Sequence, residues 1–218
     1  MASTRGTMDK RPTPARRSAT RSRGETTSSS NGRSHPSPDP VLRLRGPEIQ
    51  RYGTLRDLPI ALPAKARESS CRLLNEILAD TMVLYNLYKK HHWLVAGPTF
   101  YQLHLLFDKH AEEQNELTDL IAERVQMLGG IAVGDPRHAA ELTTIERPPD
   151  GAEEVGVMID RTLRAHETIL KKVRAGIKTT EESDDWGSND LLMGDVLRRH
   201  ELQVWFLAEH VVDVALVD

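Results

Sequence analysis

The chain has 218 residues, enough for one domain with a sizeable core. Its single cysteine, Cys71, excludes a disulfide framework within the chain and a thiolate-rich metal cluster, and no apolar run approaches the roughly 20 residues of a membrane span. The net charge of −3 conceals a basic N-terminal part: residues 1–46 hold ten Lys/Arg and three Asp/Glu, whereas the remainder holds nineteen Lys/Arg and twenty-nine Asp/Glu.

The N-terminal segment is rich in Ser, Thr, Pro, Gly and Arg and has almost no large apolar side chains. Such a segment cannot bury enough surface to offset its ordering entropy, so we predict a disordered basic tail (residues 1–50) before a folded domain (residues 51–218). Binding to double-stranded DNA is the favoured role, while an anionic membrane, organelle targeting or a solvating linker stay open. The candidate DNA-binding cations are Arg5, Lys10, Arg11, Arg16, Arg17, Arg21, Arg23 and Arg33.

Apolar residues at three- and four-residue steps predict a first helix over about residues 66–94, ended by Gly-Pro at 97–98. The second helix is predicted to begin with Thr99 as N-cap and Gln102 as its capping-box partner. It is expected to run to Leu128, before the Gly-Gly pair at 129–130.

The connection that follows contains Asp135-Pro136, which can open a short helix with Asp as cap and Pro in the first turn. A third helix is predicted over residues 152–175, ended by Gly176, and a fourth over residues 188–212. No strand-like alternation competes with these helices. The pattern predicts an all-α fold, a ferritin-like four-helix bundle with a short helix in the central crossover.

Four potential metal ligands share one face of the second predicted helix: His104, Asp108, Asp119 and Glu123. At about 100° per residue they lie at roughly 0°, 40°, 60° and 100° around the helix axis. Asp108 and Asp119 are nevertheless separated by roughly 16 Å along the axis, whereas ligands lie about 2 Å from their ion. The helix therefore carries two half-sites, and His92 at the end of the first helix can join the first of them.

Imidazole combined with carboxylate suits iron, zinc or manganese, and few fixed ligands with open positions favour redox chemistry at Fe(II). Di-iron sites inside one bundle use Glu-x-x-His motifs, yet none of the nine histidines has a Glu three residues before it. We therefore expect the half-sites to meet between two subunits related by a two-fold axis.

The ligand spacing resembles that of the Dps family, the DNA-protecting mini-ferritins of starved bacteria, over roughly residues 66–212. The residues that carry the resemblance are His92, Trp93, Gly97, His104, Asp108, Asp119, Glu123, Gly129 and Gly130. Any one of the ligands alone would more simply belong to a solvated helix face. All five at the family spacing favour a metal site.

The resemblance implies a hollow dodecamer that oxidises Fe(II), preferably with hydrogen peroxide, and stores ferric mineral. It implies that His92, His104 and Asp108 come from one subunit and the other two ferroxidase ligands from its two-fold mate, with Trp93 beside the centre. It also implies a cytoplasmic, nucleoid-associated protein that protects DNA from oxidative damage. Zinc as a substitute metal stays open, as does a DNA-compacting protein whose metal site is silent or holds zinc.

Fe(II) must enter a closed shell, and the family lines acidic channels near the start of the fourth helix. Asp190 and Asp195 are the candidate pore residues here, with acids favoured by the helix dipole as the alternative interpretation. The nearby Asp184 and Asp185 fit that alternative better. His91 and His110 are interpreted as surface or packing residues.

Overall fold

The computed structural model describes residues 47–212, and every regular element within that range is helical. The elements in chain order are α1 (Ala64–Leu94), α2 (Phe100–Met127), α3 (Pro136–Leu142), α4 (Val155–Glu182), α5 (Trp186–Asp190), a π-helical segment (Leu191–Leu197) and α6 (Arg198–Ala208). The last three are continuous and make the fourth long helix. The predicted all-α, ferritin-like bundle with a short crossover helix is confirmed.

The core lies between the inward stripes of the four long helices. Leu78 of α1, Phe107 of α2, Ile169 of α4 and Leu192 of the π-helical segment are all fully buried. Apolar residues recur at three- and four-residue steps because that spacing returns to the same side of a helix. Burying each such side chain contributes roughly 1.5–3 kcal/mol relative to exposure. Within residues 47–212 no helix is both long and apolar enough to cross a bilayer.

The crossover between α2 and α4 is tied to the bundle by a buried carboxylate. Asp80 of α1 is fully buried and accepts hydrogen bonds from the Thr143 hydroxyl and the Thr144 amide, at 2.7 and 2.8 Å. It also pairs with Lys172 of α4 at 2.6 Å. The predicted α3 is present, and the Asp135 side chain caps its first turn. A buried charge needs such partners, so Asp80 fixes the position of the crossover.

Two predicted helix signals were wrong in detail. Thr99 occupies the N-cap position of α2, but its side chain makes no capping hydrogen bond, so the predicted capping box does not form. Gly176 does not end α4, which continues to Glu182. A Cβ atom at Gly176 would lie 2.6 Å from a methyl carbon of Leu73. This glycine therefore allows α4 to approach α1 closely rather than stopping the helix.

The fourth helix also differs from its predicted range. It begins at Trp186 rather than residue 188, because Asp185 caps it by accepting from the Ser188 amide. It ends at Ala208 rather than residue 212. The π-helical segment was not predicted, because its wider hydrogen-bond ring leaves no distinct apolar period in so short a stretch.

The residues before α1 are anchored to the end of α2. The Gln50 side-chain amide and the Arg56 backbone amide both donate to the Gly129 carbonyl, at 2.8 and 3.0 Å. The guanidinium of Arg67 donates to the carbonyls of Arg56 and Leu128. The predicted domain boundary between residues 50 and 51 stays a prediction, because residues 1–46 lie outside the described range.

Candidate metal centre

The antiparallel turn between α1 and α2 places two histidines side by side. Gly97 takes a positive φ of 98° in this turn, a conformation that suits glycine. His92 near the end of α1 and His104 in the second turn of α2 then stack, with ring centroids 3.8 Å apart and an interplanar angle of 21°. The ring of Phe100 covers His104 at a centroid distance of 5.1 Å.

The two imidazoles hold each other in one tautomer. The Nδ1 atom of His92 donates to the His104 carbonyl at 2.7 Å, and the Nδ1 atom of His104 donates to the His92 carbonyl at 2.9 Å. A carbonyl oxygen can only accept, so both hydrogens sit on Nδ1. Each Nε2 atom is therefore left with a lone pair, and this tautomer is the one a metal ion binds through Nε2.

Asp108 lies one turn after His104 and completes this half of the centre. Its Oδ1 atom is 3.9 Å from Nε2 of His92 and 2.5 Å from the ammonium of Lys89. The hydrogen bond from Lys89 is the main cause that lowers the pKa of Asp108. Lys89 was not identified from the sequence, although it precedes His92 by three residues and so shares its helix face.

Asp119 and Glu123 lie further along α2 and are exposed. Within residues 47–212, neither carboxylate makes a hydrogen bond or an ion pair. The structure therefore places His92 against His104 and 3.9 Å from Asp108, and leaves the other two predicted ligands apart. Over the same range, no three His, Cys, Asp or Glu residues are gathered closely enough to hold an ion.

An exposed apolar surface adjoins the ligand face of α2. Tyr101 is 68% exposed and Leu105 50%. Further along the helix, Leu120 and Met127 are also exposed. Trp93 next to His92 is 70% exposed. Large apolar side chains exposed along one helix are typical of a surface that takes part in a macromolecular contact.

The acids at the start of the fourth helix have unequal surroundings. Asp190 and Asp195 are exposed; Asp190 directly precedes the π-helical segment and Asp195 lies within it. Bonding from residue i to i+5 brings residues five apart closer to one face than an α-helix would. Asp185 is instead buried, pairing with Arg124 at 2.5 Å and accepting from Ser188, so its role is structural. The candidate DNA-binding residues of the tail lie outside the described range.

The histidines next to the ligands point into the core. His91 is buried and its Nδ1 atom lies 3.0 Å from the hydroxyl of Thr162. His110 is buried 3.2 Å from the hydroxyl of Tyr88. Burial lowers the pKa of both imidazoles to about 4. Both are therefore packing residues rather than ligands.

Comparison with known proteins places this geometry among ferritin-like chains. The sequence profile of the ferritin-like domain matches residues 71–217. The structure of DpsC from Streptomyces coelicolor is 58% identical with a TM-score of 0.76, covering 79% of this chain and 100% of that one. A nutrient stress-induced DNA-binding protein of Synechococcus sp. is 32% identical over 70% of this chain and 87% of its own length. The DNA protection during starvation protein 2 of Bacillus anthracis is 31% identical over 62% of this chain and 91% of its own length.

Proposed function

Because the chain belongs to the Dps family of ferritin-like proteins, we propose that it oxidises Fe(II) at sites completed by two subunits and stores the ferric product in a hollow oligomer. Fe(II) is here the substrate and the cargo. The observation that carries the proposal is the reciprocal hydrogen bonding of His92 and His104 through Nδ1, which leaves Nε2 of each ring available to a metal ion, with Nε2 of His92 3.9 Å from the Asp108 carboxylate.

The second half of each site comes from a two-fold mate in this proposal. Asp119 and Glu123 share the helix face of Asp108 but lie roughly 16 Å and 22 Å away from it along the axis. Two α2 helices lying antiparallel would bring the carboxylates of one against the histidines of the other, twice per dimer. The exposed side chains of Tyr101, Leu105 and Leu120 beside this face support such a contact, because burying them favours association.

The ligand set fits the chemistry. Neutral imidazoles and carboxylates bind Fe(II), and the added carboxylates stabilise the more highly charged Fe(III) product. Hydrogen peroxide takes up two electrons and two protons to become two water molecules. Two Fe(II) ions supply those electrons without releasing a hydroxyl radical. Lys89 neutralises Asp108 until Fe(II) displaces it, so the carboxylate need not lie uncompensated in the empty site.

The direct test mixes the full-length protein with Fe(II) and hydrogen peroxide and follows ferric absorbance. We expect it to rise faster than in a protein-free control. The double variant His104→Ala with Asp119→Ala should lose this acceleration while circular dichroism still shows its helices. Equal rates with and without the wild-type protein would refute the proposal, and tight binding of zinc without turnover would favour the zinc-occupied alternative.

DNA binding is a second candidate function, supported by the charge of the tail. The +7 charge of residues 1–46 contrasts with −10 over the rest of the chain, so the body repels DNA and the tail would supply the phosphate contacts. Repetition of the tail over an oligomer would add avidity. The Synechococcus relative is named as a DNA-binding protein. Together with iron oxidation, this would place the chain on the nucleoid as a protector against oxidative damage.

The tail is tested in the full-length oligomer by replacing its eight candidate cations with Gln. We expect gel-shift retardation of double-stranded DNA to weaken and its dependence on salt to become shallower, because fewer counterions are released. A variant with Lys171 and Arg174 of α4 replaced by Gln is the control for loss of positive charge from the folded domain. Unchanged retardation in the tail variant would show that the tail does not carry DNA binding.

Entry of Fe(II) is assigned to Asp190 and Asp195 in the same proposal. Both carboxylates are exposed at the start of the fourth helix and both attract a divalent cation. Replacing the two with Asn should slow ferric formation at low Fe(II) but not at saturating Fe(II). A reduction that persists at saturation would point instead to damage at the oxidation site.

A further inference from the structure

A chain of hydrogen-bonded side chains runs through the centre of the bundle, with one member from each long helix. Its members are Tyr88 of α1, His110 of α2, His166 of α4 and His200 of α6, and none is more than 1% exposed. The hydroxyl of Tyr88 lies 2.5 Å from Nε2 of His166 and 3.2 Å from Nδ1 of His110. The Nδ1 atom of His166 lies 2.8 Å from Nδ1 of His200.

All three contacts are satisfied by donation in one direction along the chain, and the reverse direction satisfies them as well. The direction relevant to the Tyr88–His166 pair is the following. His110 donates to the hydroxyl oxygen of Tyr88, which donates to Nε2 of His166, and His166 donates through Nδ1 to His200. Burial lowers the pKa of His200 to about 3 and the pKa of His166 well below its usual value, so both are neutral bases. Burial also raises the pKa of Tyr88 well above its usual value. The phenol proton therefore stays on Tyr88, and in this direction of donation it lies in the hydrogen bond to the neutral His166.

This arrangement is unsuited to ordinary acid ionisation but suited to loss of an electron together with a proton. A phenol that loses one electron becomes a strong acid, and Nε2 of the neutral His166 imidazole lies 2.5 Å from the Tyr88 hydroxyl, within reach of its proton. The proton then moves by less than the length of that bond. The positive charge can be shared with His200 through the second hydrogen bond.

Tyr88, the possible source of the electron, is close to the proposed oxidation site. Tyr88 precedes His92 by four residues, or about 6 Å along α1. The ring of Phe107 packs on the ring of Tyr88 at a centroid distance of 6.1 Å, and Phe107 directly precedes Asp108 along α2. Two short paths, one along α1 and one through Phe107, therefore connect the phenol to the ligands.

We propose that Tyr88 donates one electron to peroxide reduction at the iron site and passes its proton to His166, an inference that rests on the proposed ferroxidase function. The step matters when only one Fe(II) is bound. Fe(II), the phenol, the imidazole, hydrogen peroxide and two protons then give Fe(III), the neutral tyrosyl radical, the imidazolium and two water molecules. A later Fe(II) gives one electron to the radical, which recovers its proton from His166. A lone Fe(II) thus reduces peroxide fully and releases no hydroxyl radical.

The experiment supplies the full-length protein with one Fe(II) per chain and then peroxide, freezes the mixture rapidly and records its electron paramagnetic resonance. We expect a tyrosyl signal in the wild type and its loss in Tyr88→Phe. Tyr52→Phe is the matched control, because Tyr52 lies before α1, where its ring packs against His138 and not against the ligands, and should leave the signal unchanged. A spin trap should also detect more hydroxyl radical from Tyr88→Phe than from the wild type.

The variant His166→Gln distinguishes proton transfer to His166 from a purely structural role of the buried hydrogen-bonded side chains. The amide can still accept the phenol hydrogen bond but cannot hold a proton, so the tyrosyl signal should fall although Tyr88 is present and circular dichroism is unchanged. An undiminished signal in His166→Gln would exclude His166 as the proton acceptor. A signal that survives in Tyr88→Phe would overturn the proposal.

Failure of this inference is distinguishable from failure of the ferroxidase function. If the wild type produces ferric absorbance without a tyrosyl signal, the role of Tyr88 is refuted and the ferroxidase function stands. If no ferric product forms, the ferroxidase function fails, and a photochemically generated ruthenium(III) complex then serves as an iron-independent oxidant. Tyr88→Phe should remove part of the tyrosyl signal formed with that oxidant, and no change would refute Tyr88 as a donor of any kind.

Discussion

The ammonium of Lys89 lies 2.5 Å from the carboxylate of Asp108, at the position where a divalent cation would bind that oxygen. Fe(II) must therefore compete with a positive charge that belongs to the protein. Lys89→Met removes the competitor, and we expect Fe(II) to bind about fivefold more tightly, or ~1 kcal/mol, because the pair is partly exposed. Anaerobic calorimetry on the assembled protein measures this change.

Lys90→Met is the control for Lys89→Met, because it removes the same charge from the next residue, whose ammonium bonds to the Pro149 carbonyl instead. It should leave Fe(II) affinity close to that of the wild type. Weaker Fe(II) binding by Lys89→Met would show that the lysine helps to orient the ligands and does not compete with the ion.

Sharing of each site between two subunits can be tested by complementation. Asp108→Asn disables the histidine half-site and Asp119→Asn the carboxylate half-site, so each variant alone should have little ferroxidase activity. In a mixed dimer one of the two sites contains both intact halves. Co-assembly in equal amounts should restore roughly a quarter of the wild-type activity, because about half of the dimers are mixed.

The same mixture tests the alternative in which each chain holds a complete site. Such a chain would carry one damaged residue in every copy, and co-assembly would restore nothing. The ferric absorbance assay distinguishes the two results, with each variant assembled alone as the baseline.

Replacing Gly176 by alanine is expected to destabilise the protein, although alanine is the better helix former. A Cβ atom there would meet Leu73 at 2.6 Å and Leu192 at 3.2 Å, so Gly176→Ala should lower the free energy of unfolding by about 1–3 kcal/mol through overpacking. Gly156→Ala in the first turn of α4 is the matched control, since nothing lies within 4 Å of its Cβ position. It should be neutral or stabilise the protein by up to about 1 kcal/mol.

Urea unfolding of both variants at one protein concentration measures these changes, since assembly also contributes to stability. If Gly176→Ala proved as stable as Gly156→Ala, α1 and α4 would have room to separate, and close approach would not explain the glycine.

Because its buried histidines are held in the neutral form, the folded protein is expected to lose stability in acid. Burial lowers the pKa of His200 to about 3, whereas an unfolded histidine titrates near 6.5. The unfolded chain therefore binds more protons below pH 6.5, and the free energy of unfolding falls as the pH falls through this range. For His200 alone the loss between pH 7 and pH 5 is about 2 kcal/mol.

Urea unfolding at pH 7 and pH 5, followed by circular dichroism, measures this loss. His200→Gln should show a smaller decrease between the two pH values than the wild type, even if it is less stable at pH 7. An equal decrease in both proteins would assign the acid sensitivity to other groups, such as the paired carboxylates.

Local patterns in the sequence were sufficient for the bundle, and the metal-binding role of the five candidate ligands stays a prediction. The three- and four-residue steps of apolar side chains predicted four long helices, and Asp135-Pro136 predicted α3. The turn at Gly97 then makes the proximity of His92 and His104 nearly unavoidable. The pairing of Asp119 and Glu123 with a second subunit stays a prediction, because it depends on a contact between chains.

Other features depend on side chains far apart in the sequence. Gly176 has the local signature of a helix end, but its neighbour Leu73 makes it a packing residue. Asp185 resembles other acids near a helix start until burial beside Arg124 distinguishes it. Tyr88 and His166 are separated by 78 positions, and no spacing rule connects them.

Sequence by itself therefore determined the helices, the fold class and the two ligand sets along α2, because helical periodicity is a property of neighbouring residues. Tertiary structure decided which imidazole nitrogen is available at His92, that the Lys89 ammonium pairs with the Asp108 carboxylate, and that the Tyr88 hydroxyl lies against His166. These depend on hydrogen bonds whose geometry exists only after separate helices have packed against each other.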